Sequence, residues 1–248
     1  MIFYLIIYSI LIILFILRIK KFYKKAIQNS YYYLIKKNKI DNIVINKKIK
    51  IAFLVPSTSN KRDYKNYDDC DFIRILLSSF VYTYNNKNPF FEYTFYLGHD
   101  YDDKFYVNNK EKIINYIESL NLNIKIKIIE INLKERGHLS EIWNILFKNA
   151  IDDDNDYFYQ LGDDIRIIDS DWEIKFISQL KKYNNIGVIG PLDLNNERLL
   201  TQSFVHKTHY NIFGYYYPKI IKNIFVDDWI ENVYKSFNKS NRAFKIKD

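Results

Sequence analysis

Two adjacent carboxylates, Asp163 and Asp164, follow the apolar stretch YFYQL and a single glycine, Gly162. Like charges repel and are costly to bury, so the pair either begins an ordinary solvated turn or holds a cation. Carboxylate oxygens suit Mg²⁺ or Mn²⁺, which commonly combine one or two of them with phosphate oxygens of a substrate. Because runs of aspartate occur at four other places in the chain, the pair by itself does not distinguish a metal site from a turn.

A second candidate group lies in VDDWIENVY, where Asp227 and Asp228 precede a tryptophan. Asp228 and Glu231 have the spacing of a capping box that opens a helix. This structural explanation leaves Asp227 free, one residue before the cap. A carboxylate fixed at a helix start beside a large aromatic ring can serve as a general base. The helix dipole is expected to keep its pKa low, so such a base would act mainly by geometry.

The third group lies in SFVHKTHYNIFGYYYP, which contains His206 and His209, two of the four histidines in the chain. At a spacing of three residues on a helix, both would face one partner. Either histidine could contact a metal ion or a diphosphate, or could be a hydrogen-bonded structural group. The tyrosines at 215–217, together with Trp229, could supply the flat apolar surfaces on which sugars stack.

The elements that must position these residues alternate between strands and helices after residue 50. The patterns predict strands at 51–59, 90–98, 123–131, 156–161 and 186–190, and helices at 68–84, 111–120, 140–151 and 171–183. Such alternation predicts an α/β fold with a mainly parallel sheet flanked by helices. Ligands of open parallel sheets collect beyond the carboxyl ends of the strands, where this chain places PSTS, GHDYDD and GDDI.

The first 50 residues have a different character. Ile2 to Leu17 are sixteen residues without a charge, which as a helix would cover roughly 24 Å of the membrane core of about 30 Å. The basic stretch RIKKFYKK follows this run, and no Lys or Arg precedes it. We therefore predict a single-pass membrane anchor at 1–25, a basic stalk at 26–50 and a cytosolic catalytic domain at 51–248. The alternative is a buried N-terminal helix.

The charge distribution argues against nucleic acid as a partner. The whole chain carries +8 and residues 18–50 carry +10, so residues 51–248 carry −2. A mildly acidic globular part does not favour a nucleic-acid groove. The single cysteine, Cys70, excludes an intrachain disulfide and a cysteine-based zinc site.

Taken in order, these pieces resemble the GT-A-type glycosyltransferases, a Rossmann-like nucleotide-diphospho-sugar transferase superfamily, over about residues 50–236. The first strand ends in PSTS, the helix GHLSEIWNILFKNAI precedes the acidic motif, and LGDD stands in place of the family's Asp-x-Asp. VDDWI is similar to the Asp-Asp-Trp segment of N-acetylglucosaminyltransferase I-like enzymes. The chain departs from the family at the first acid of Asp-x-Asp, which is Gly162 here.

The resemblance implies a role for each matching residue. Asp164 would carry the main metal-ligand role, with His206 or His209 substituting for a late metal-binding histidine. Asp227 matches the base position, and Asp228 is the reserve candidate. The implied donor-binding residues are Pro56, Ser57, Asp100, Asn144 and Asp163.

The expected function is a membrane-anchored glycosyltransferase that uses Mn²⁺ or Mg²⁺. It would transfer a sugar from a nucleotide-diphosphate donor, with UDP-sugars favoured, to an unknown glycan, protein or lipid acceptor, and inversion at the anomeric carbon is expected. A nucleotidyltransferase or another metal-dependent phosphate-cleaving enzyme on a similar fold is the alternative. A non-catalytic protein that only binds nucleotide-sugars is a third possibility. No Gly-rich phosphate-binding loop of the kinase or ATPase type is present.

Overall fold

The computed structural model describes residues 48–84, 90–133, 137–193, 196–235 and 242–246. The chain divides into two units, Met1–Lys47 and Lys48–Asp248. The predicted membrane anchor and nearly all of the predicted stalk therefore lie outside the described residues. Within the described ranges, no helix is both long enough and apolar enough to cross a membrane.

Seven strands form one mixed sheet in the order β3-β2-β1-β4-β6-β5-β7. The strands are β1 Ile49–Pro56, β2 Phe91–Asp100, β3 Ile124–Ile131, β4 Tyr157–Gln160, β5 Val188–Pro191, β6 Ser203–His206 and β7 Ala243–Ile246. Strands β3, β2, β1 and β4 run parallel to one another, and β5 pairs parallel with β7. Only β6 runs antiparallel to its neighbours, β4 and β5. The predicted α/β fold with a mainly parallel sheet is confirmed.

Helices flank this sheet. A π-helical segment, Phe72–Leu77, continues directly into α1 Ser78–Thr83. The other α-helices are α2 Lys104–Ser119, α3 Leu139–Asp152, α4 Trp172–Lys181, α5 Thr208–Phe213 and α6 Val226–Lys235.

The sheet is buried on both faces because successive residues of a strand point to opposite sides. On β1, Phe53 packs into a cluster that includes Phe95, with ring centroids 4.4 Å apart. The next residue, Leu54, belongs to the cluster on the other face, which includes Leu146 and Phe147 of α3. Strand β1 thus contributes side chains to the cores on both faces of the sheet. Its carboxyl end is hydrogen-bonded between β2 and β4.

The predicted elements up to β5 correspond to observed ones, with shifted boundaries. Helix α2 begins at Lys104, seven residues earlier than predicted, because Asp103 caps it by accepting hydrogen bonds from the backbone N–H groups of Phe105 and Tyr106. Strands β6 and β7 were not predicted. Their sequences, SFVH and AFKI, include polar residues and lack the apolar runs that indicate β4 and β5, which are equally short.

Candidate functional site

Three strands deliver polar residues to one edge of the sheet. Pro56, the last residue of β1, is aligned with Gly98 of β2. The N–H of Ser57 donates to the carbonyl of Gly98 at 2.8 Å, and Leu161, just past β4, donates to Leu54 at 3.3 Å. The carboxyl ends of β1, β2 and β4 therefore meet, as the sequence predicted. This edge is the candidate functional site.

Asp163 is buried at this edge and is bound by protein groups. Arg62 Nη1 donates to Asp163 Oδ2 at 2.8 Å, and Nη2 donates to Oδ1 at 3.3 Å. The Ser57 hydroxyl also donates to Oδ2, and the Tyr106 hydroxyl in turn contacts Ser57. Burial raises the pKa of Asp163, and the bonds from Ser57 and Arg62 offset only part of that effect. The predicted donor-binding residues Ser57 and Asp163 thus lie together, but they are bonded to each other.

Arg62 is a site residue that the sequence analysis missed. Its Nη1 atom also lies 2.7 Å from Asp71 Oδ2 and donates to the Tyr64 hydroxyl at 2.7 Å. One guanidinium therefore joins two carboxylates, and 27% of its side chain stays exposed. The available signal was its position, in the loop that follows the first strand of a parallel sheet, where ligands collect.

Asp164 has the opposite environment from its neighbour. It is exposed, and it forms no hydrogen bond or ion pair with the described residues. Its side chain folds back over Gly162, where an added Cβ atom would lie only 2.8 Å from Asp164 Oδ1. The carboxylate is therefore available to a cation, and the glycine makes room for it.

The described residues contain no preassembled group of three metal-ligating side chains. A cation at Asp164 would take its remaining ligands from water and substrate oxygens. This arrangement suits Mg²⁺ or Mn²⁺, which keep several waters and bind through one or two carboxylates plus phosphate. The carboxylate of Asp100, at the end of β2, is likewise unpaired among the described residues.

Asp227 lies in the first turn of α6, and its electrostatics differ from expectation. Burial raises its pKa to about 6, with further contributions from the nearby charges of Asp228 and Glu231. Desolvation and two like charges therefore outweigh the helix dipole, which was expected to keep this pKa low. A carboxylate with this pKa is a stronger proton acceptor than an ordinary aspartate.

The predicted capping box at Asp228 and Glu231 is wrong. Helix α6 begins at Val226, so Asp228 lies inside its first turn and is not the cap. Glu231 is buried and accepts from the N–H of Leu200 at 3.2 Å. Its carboxylate also pairs with Lys235 and Lys245.

Tyr217 bonds a residue of the carboxyl edge and lies close enough to Asp227 to be affected by its charge. Its hydroxyl donates to Gln160 Oε1 at 3.1 Å, and Gln160 ends β4, three residues before Asp163. Tyr217 is fully buried, and its pKa is raised by that burial and also by the negative charges around it, including Asp227. The candidate base is therefore on the same side of the fold as the acidic edge.

Asn144, expected to contact a donor, binds the backbone of this region. Its Oδ1 accepts from the N–H groups of Tyr216 and Tyr217, each at 2.9 Å. Its Nδ2 donates to the carbonyl of Tyr217 at 2.8 Å. Asn144 therefore positions the backbone of Tyr217, whose hydroxyl bonds Gln160.

Neither predicted histidine is available to a metal at Asp164. His206 is paired with Tyr157 at the amino end of β4, the end away from Asp163. His209 is fully buried in α5; its Nε2 donates to the Tyr216 carbonyl at 3.0 Å, and its Nδ1 accepts from Tyr234 Oη at 2.8 Å. Burial lowers the pKa of both histidines to about 4. The two do not share a helix, and the expectation that one would join Asp164 is not supported by this geometry.

An open cavity of about 540 Å³ lies near the amino ends of β1, β2 and β3, away from these acids. Several polar groups that line it are already paired. Lys127 Nζ lies 2.6 Å from Asp153 Oδ2, the Tyr96 hydroxyl donates to that same oxygen, and Asn155 donates to Tyr96. The unpaired carboxylates favour the carboxyl edge as the site of chemistry.

The chain matches no protein-family model and no curated protein. Among solved structures, it is similar to a cytidylyltransferase from Leptospira borgpetersenii, with 11% identity, a TM-score of 0.49 and coverage of 82% of this chain and 77% of that one. A protein provisionally named a nucleotide-diphospho-sugar transferase, from Desulfovibrio desulfuricans, has 13% identity, a TM-score of 0.46 and coverage of 82% and 81%.

A third similar structure is CMP:2-keto-3-deoxy-manno-octonic acid synthetase complexed with CTP. It has 8% identity and a TM-score of 0.45, and the alignment covers 82% of this chain and 91% of that one. With TM-scores below 0.5, these likenesses assign neither an activity nor a substrate to this chain. They do not favour a glycosyltransferase over a nucleotidyltransferase.

Proposed function

We propose that this protein is a cation-assisted transferase that acts on a nucleotide-activated substrate at the carboxyl edge of β1, β2 and β4. The observation that carries the proposal is the contrast between Asp163 and Asp164. Arg62 and Ser57 fix Asp163 inside the protein, and the next residue presents at the ligand edge a carboxylate that no described residue pairs with. The bonds of Asp163 to Arg62 and Ser57 hold the backbone next to the exposed carboxylate in a fixed position.

The charges at this edge explain why a cation is needed. Asp163 and Asp71 are paired with two arginines, Arg62 and Arg74, and among the described residues the carboxylates of Asp100 and Asp164 have no partner. Such an edge would repel a free diphosphate. A divalent cation bound by Asp164 would bridge this carboxylate and the diphosphate. It would also neutralise the charge that develops on a phosphate leaving group.

Asp227 favours glycosyl transfer as the specific reaction. An acceptor hydroxyl would attack the anomeric carbon as the bond from that carbon to the diphosphate oxygen breaks, and the hydroxyl proton would pass to Asp227. With a pKa of about 6, Asp227 is mostly deprotonated at neutral pH and yet more basic than an ordinary aspartate. A single displacement of this kind inverts the configuration at the anomeric carbon.

Nucleotidyl transfer is the second candidate, and the lack of a histidine ligand beside Asp164 favours it. Neither His206 nor His209 completes the metal site implied by the glycosyltransferase resemblance. Attack of an anionic acceptor, such as a sugar phosphate, on the α-phosphorus of a nucleoside triphosphate needs no base. That reaction would use Asp164 in the same way and would not depend on Asp227.

The common part of the proposal is tested by nucleotide binding. We expect the full-length protein to bind nucleotides in calorimetry only when Mn²⁺ or Mg²⁺ is present, and Asp164→Asn to remove this binding without lowering the melting temperature. Asp152→Asn is the matched control, because Asp152 is an exposed carboxylate at the C-terminal end of α3. Unchanged metal-dependent binding by Asp164→Asn would refute the proposal.

Product analysis then separates the two reactions. The protein is incubated with labelled nucleotide-diphosphate sugars and, separately, with nucleoside triphosphates plus sugar phosphates. Cleavage at the anomeric carbon that is lost in Asp227→Asn supports glycosyl transfer. Pyrophosphate release that survives Asp227→Asn supports nucleotidyl transfer. Metal-dependent binding without turnover of any substrate would instead indicate a non-catalytic binding protein.

A further inference from the structure

The segment Pro218 to Phe225, which we call the 218–225 loop, concentrates exposed apolar side chains. It reads PKIIKNIF and joins the tyrosines at 215–217 to α6. Ile220 is 89% exposed, Ile224 75% and Phe225 68%. The other exposed large hydrophobic residues of the described chain are scattered along it, at Tyr82, Tyr101, Val107, Ile168 and Ile212. Single exposed residues are ordinary, but a concentration of this kind marks an interaction surface.

Phe225 has a second unusual feature. Its φ angle is +75°, in the left-handed region that bulky residues rarely occupy. A strained backbone and an exposed aromatic ring both cost free energy, and neither improves the packing of the described core. Strain of this kind clusters where a segment serves binding, and Phe225 directly precedes the helix that carries Asp227.

The loop is held in place despite its exposed side chains. The N–H of Ser140, in the first turn of α3, donates to the carbonyl of Lys222 at 3.0 Å. The N–H of Leu139 donates to Asn223 Oδ1 at 2.8 Å. The middle of the loop therefore caps α3, whose first turn follows the carboxyl end of β3. The apolar side chains project from a fixed position at the same edge as the candidate site.

We infer that the 218–225 loop docks into the interfacial layer of an anionic membrane. The exposed apolar side chains fit that layer because they can enter the acyl boundary. Lys219 is 77% exposed and lies 3.7 Å from Glu141 Oε1, so this long ion pair leaves its ammonium group able to meet anionic headgroups. A protein partner fits less well, since lysine is depleted from the cores of protein interfaces. The apolar run at residues 2–17 independently predicts that the chain is attached to a membrane. The inference does not depend on which reaction the site catalyses.

The test places a fluorescent reporter on the loop of the full-length protein. Ile224→Cys is labelled with an environment-sensitive dye, which the single native cysteine, Cys70, does not compete for because it is buried. Tyr82→Cys is the control, since Tyr82 is 90% exposed at the far end of α1, away from the carboxyl edge. Both proteins are reconstituted into phosphatidylcholine vesicles with and without phosphatidylserine, and the dye is quenched with spin-labelled lipids.

We expect at least twofold quenching at position 224, increased by phosphatidylserine, and none at position 82. Equal quenching at the two positions, or none at either, would overturn the inference. Self-quenching at position 224 without quenching by lipid would also overturn it, because the surface would then join two copies of the chain.

Two variants separate docking from folding. Phe225→Asn removes the ring and places at this position a residue that tolerates a positive φ, so the melting temperature should stay the same or rise as quenching at position 224 falls. Lys219→Gln should reduce only the part of the quenching that depends on phosphatidylserine. Full quenching in both variants would contradict the inference.

Discussion

The ion pair between Arg62 and Asp163 gives the sharpest prediction for stability. In Arg62→Met, the buried carboxylate of Asp163 loses its one cationic partner among the described residues and retains, of the bonds seen there, the one from Ser57. Removing one partner of a fully buried pair costs about 3–5 kcal/mol. Because Arg62 is 27% exposed and water can reach its place, we expect a loss of about 2 kcal/mol at pH 7. Arg74 lies 2.7 Å from Asp71 and should still pair with it in this variant.

The loss should depend on pH in a defined direction. Burial already raises the folded-state pKa of Asp163 above its ordinary value of 3.8, and removal of Arg62 should raise it further. The penalty is therefore full above the folded-state pKa, where folding buries a charge. It falls as the pH drops through the folded-state pKa and disappears below the unfolded-state pKa, where the carboxyl group is protonated in both states.

Urea unfolding followed by fluorescence of the three tryptophans measures these changes. Adding Asp163→Asn to Arg62→Met should restore most of the lost stability, because the unpaired charge is gone. Lys148→Met is the control: it removes an exposed pair with Asp152 and should change stability by about 0.5 kcal/mol or less. The reasoning fails if Arg62→Met costs no more than this control, or if the double variant is no more stable than the single one.

Three further predictions concern the site. If Asp227 is the general base, transfer should fall as the pH drops below about 6, since only the deprotonated form accepts a proton; a rate that is flat down to pH 5 would exclude this role. Gly162→Ala should push the Asp164 side chain, 2.8 Å from the added Cβ, out of position. Calorimetry should then show weaker Mn²⁺-dependent nucleotide binding at an unchanged melting temperature. Asn144→Ala removes three hydrogen bonds to the 216–217 backbone and should cost about 3 kcal/mol in urea unfolding; a neutral result would contradict its positioning role.

The parts of the fold that the sequence predicted are those with strong local patterns. Strands β1 and β3 can be predicted from the sequence, because the apolar run of β1 and the alternation of β3 are each long enough to show the burial pattern. Strands β6 and β7 cannot be predicted in this way, since each is a short segment that includes a polar residue, and the pairing of β6 with β4 is a long-range contact. The early start of α2 was readable in principle, because Asp103 is a standard helix cap.

The location of the site residues could be predicted from the sequence, but their ion pairs and hydrogen bonds could not. A parallel sheet sends Ser57 and Asp163 to one edge whatever their partners are. That Arg62 would bind Asp163 depends on how the loop after β1 folds, which no short motif specifies. The raised pKa of Asp227 also depends on the tertiary fold. It results mainly from burial, which outweighs the local effect of the helix start.

Two adjacent aspartates can be accommodated at this edge because their environments differ. The charge of Asp163 is neutralised inside the protein by Arg62, so the electrostatic repulsion that Asp164 feels from it is reduced. The exposed carboxylate of Asp164 can then attract a cation. Had both carboxylates been exposed and unpaired, the loop would lack the buried bonds that fix its backbone. Had both been paired inside, no charge would remain for a ligand. Burial of the first acid therefore gives the second one a fixed position, and a cation site built from so few protein ligands requires that rigidity.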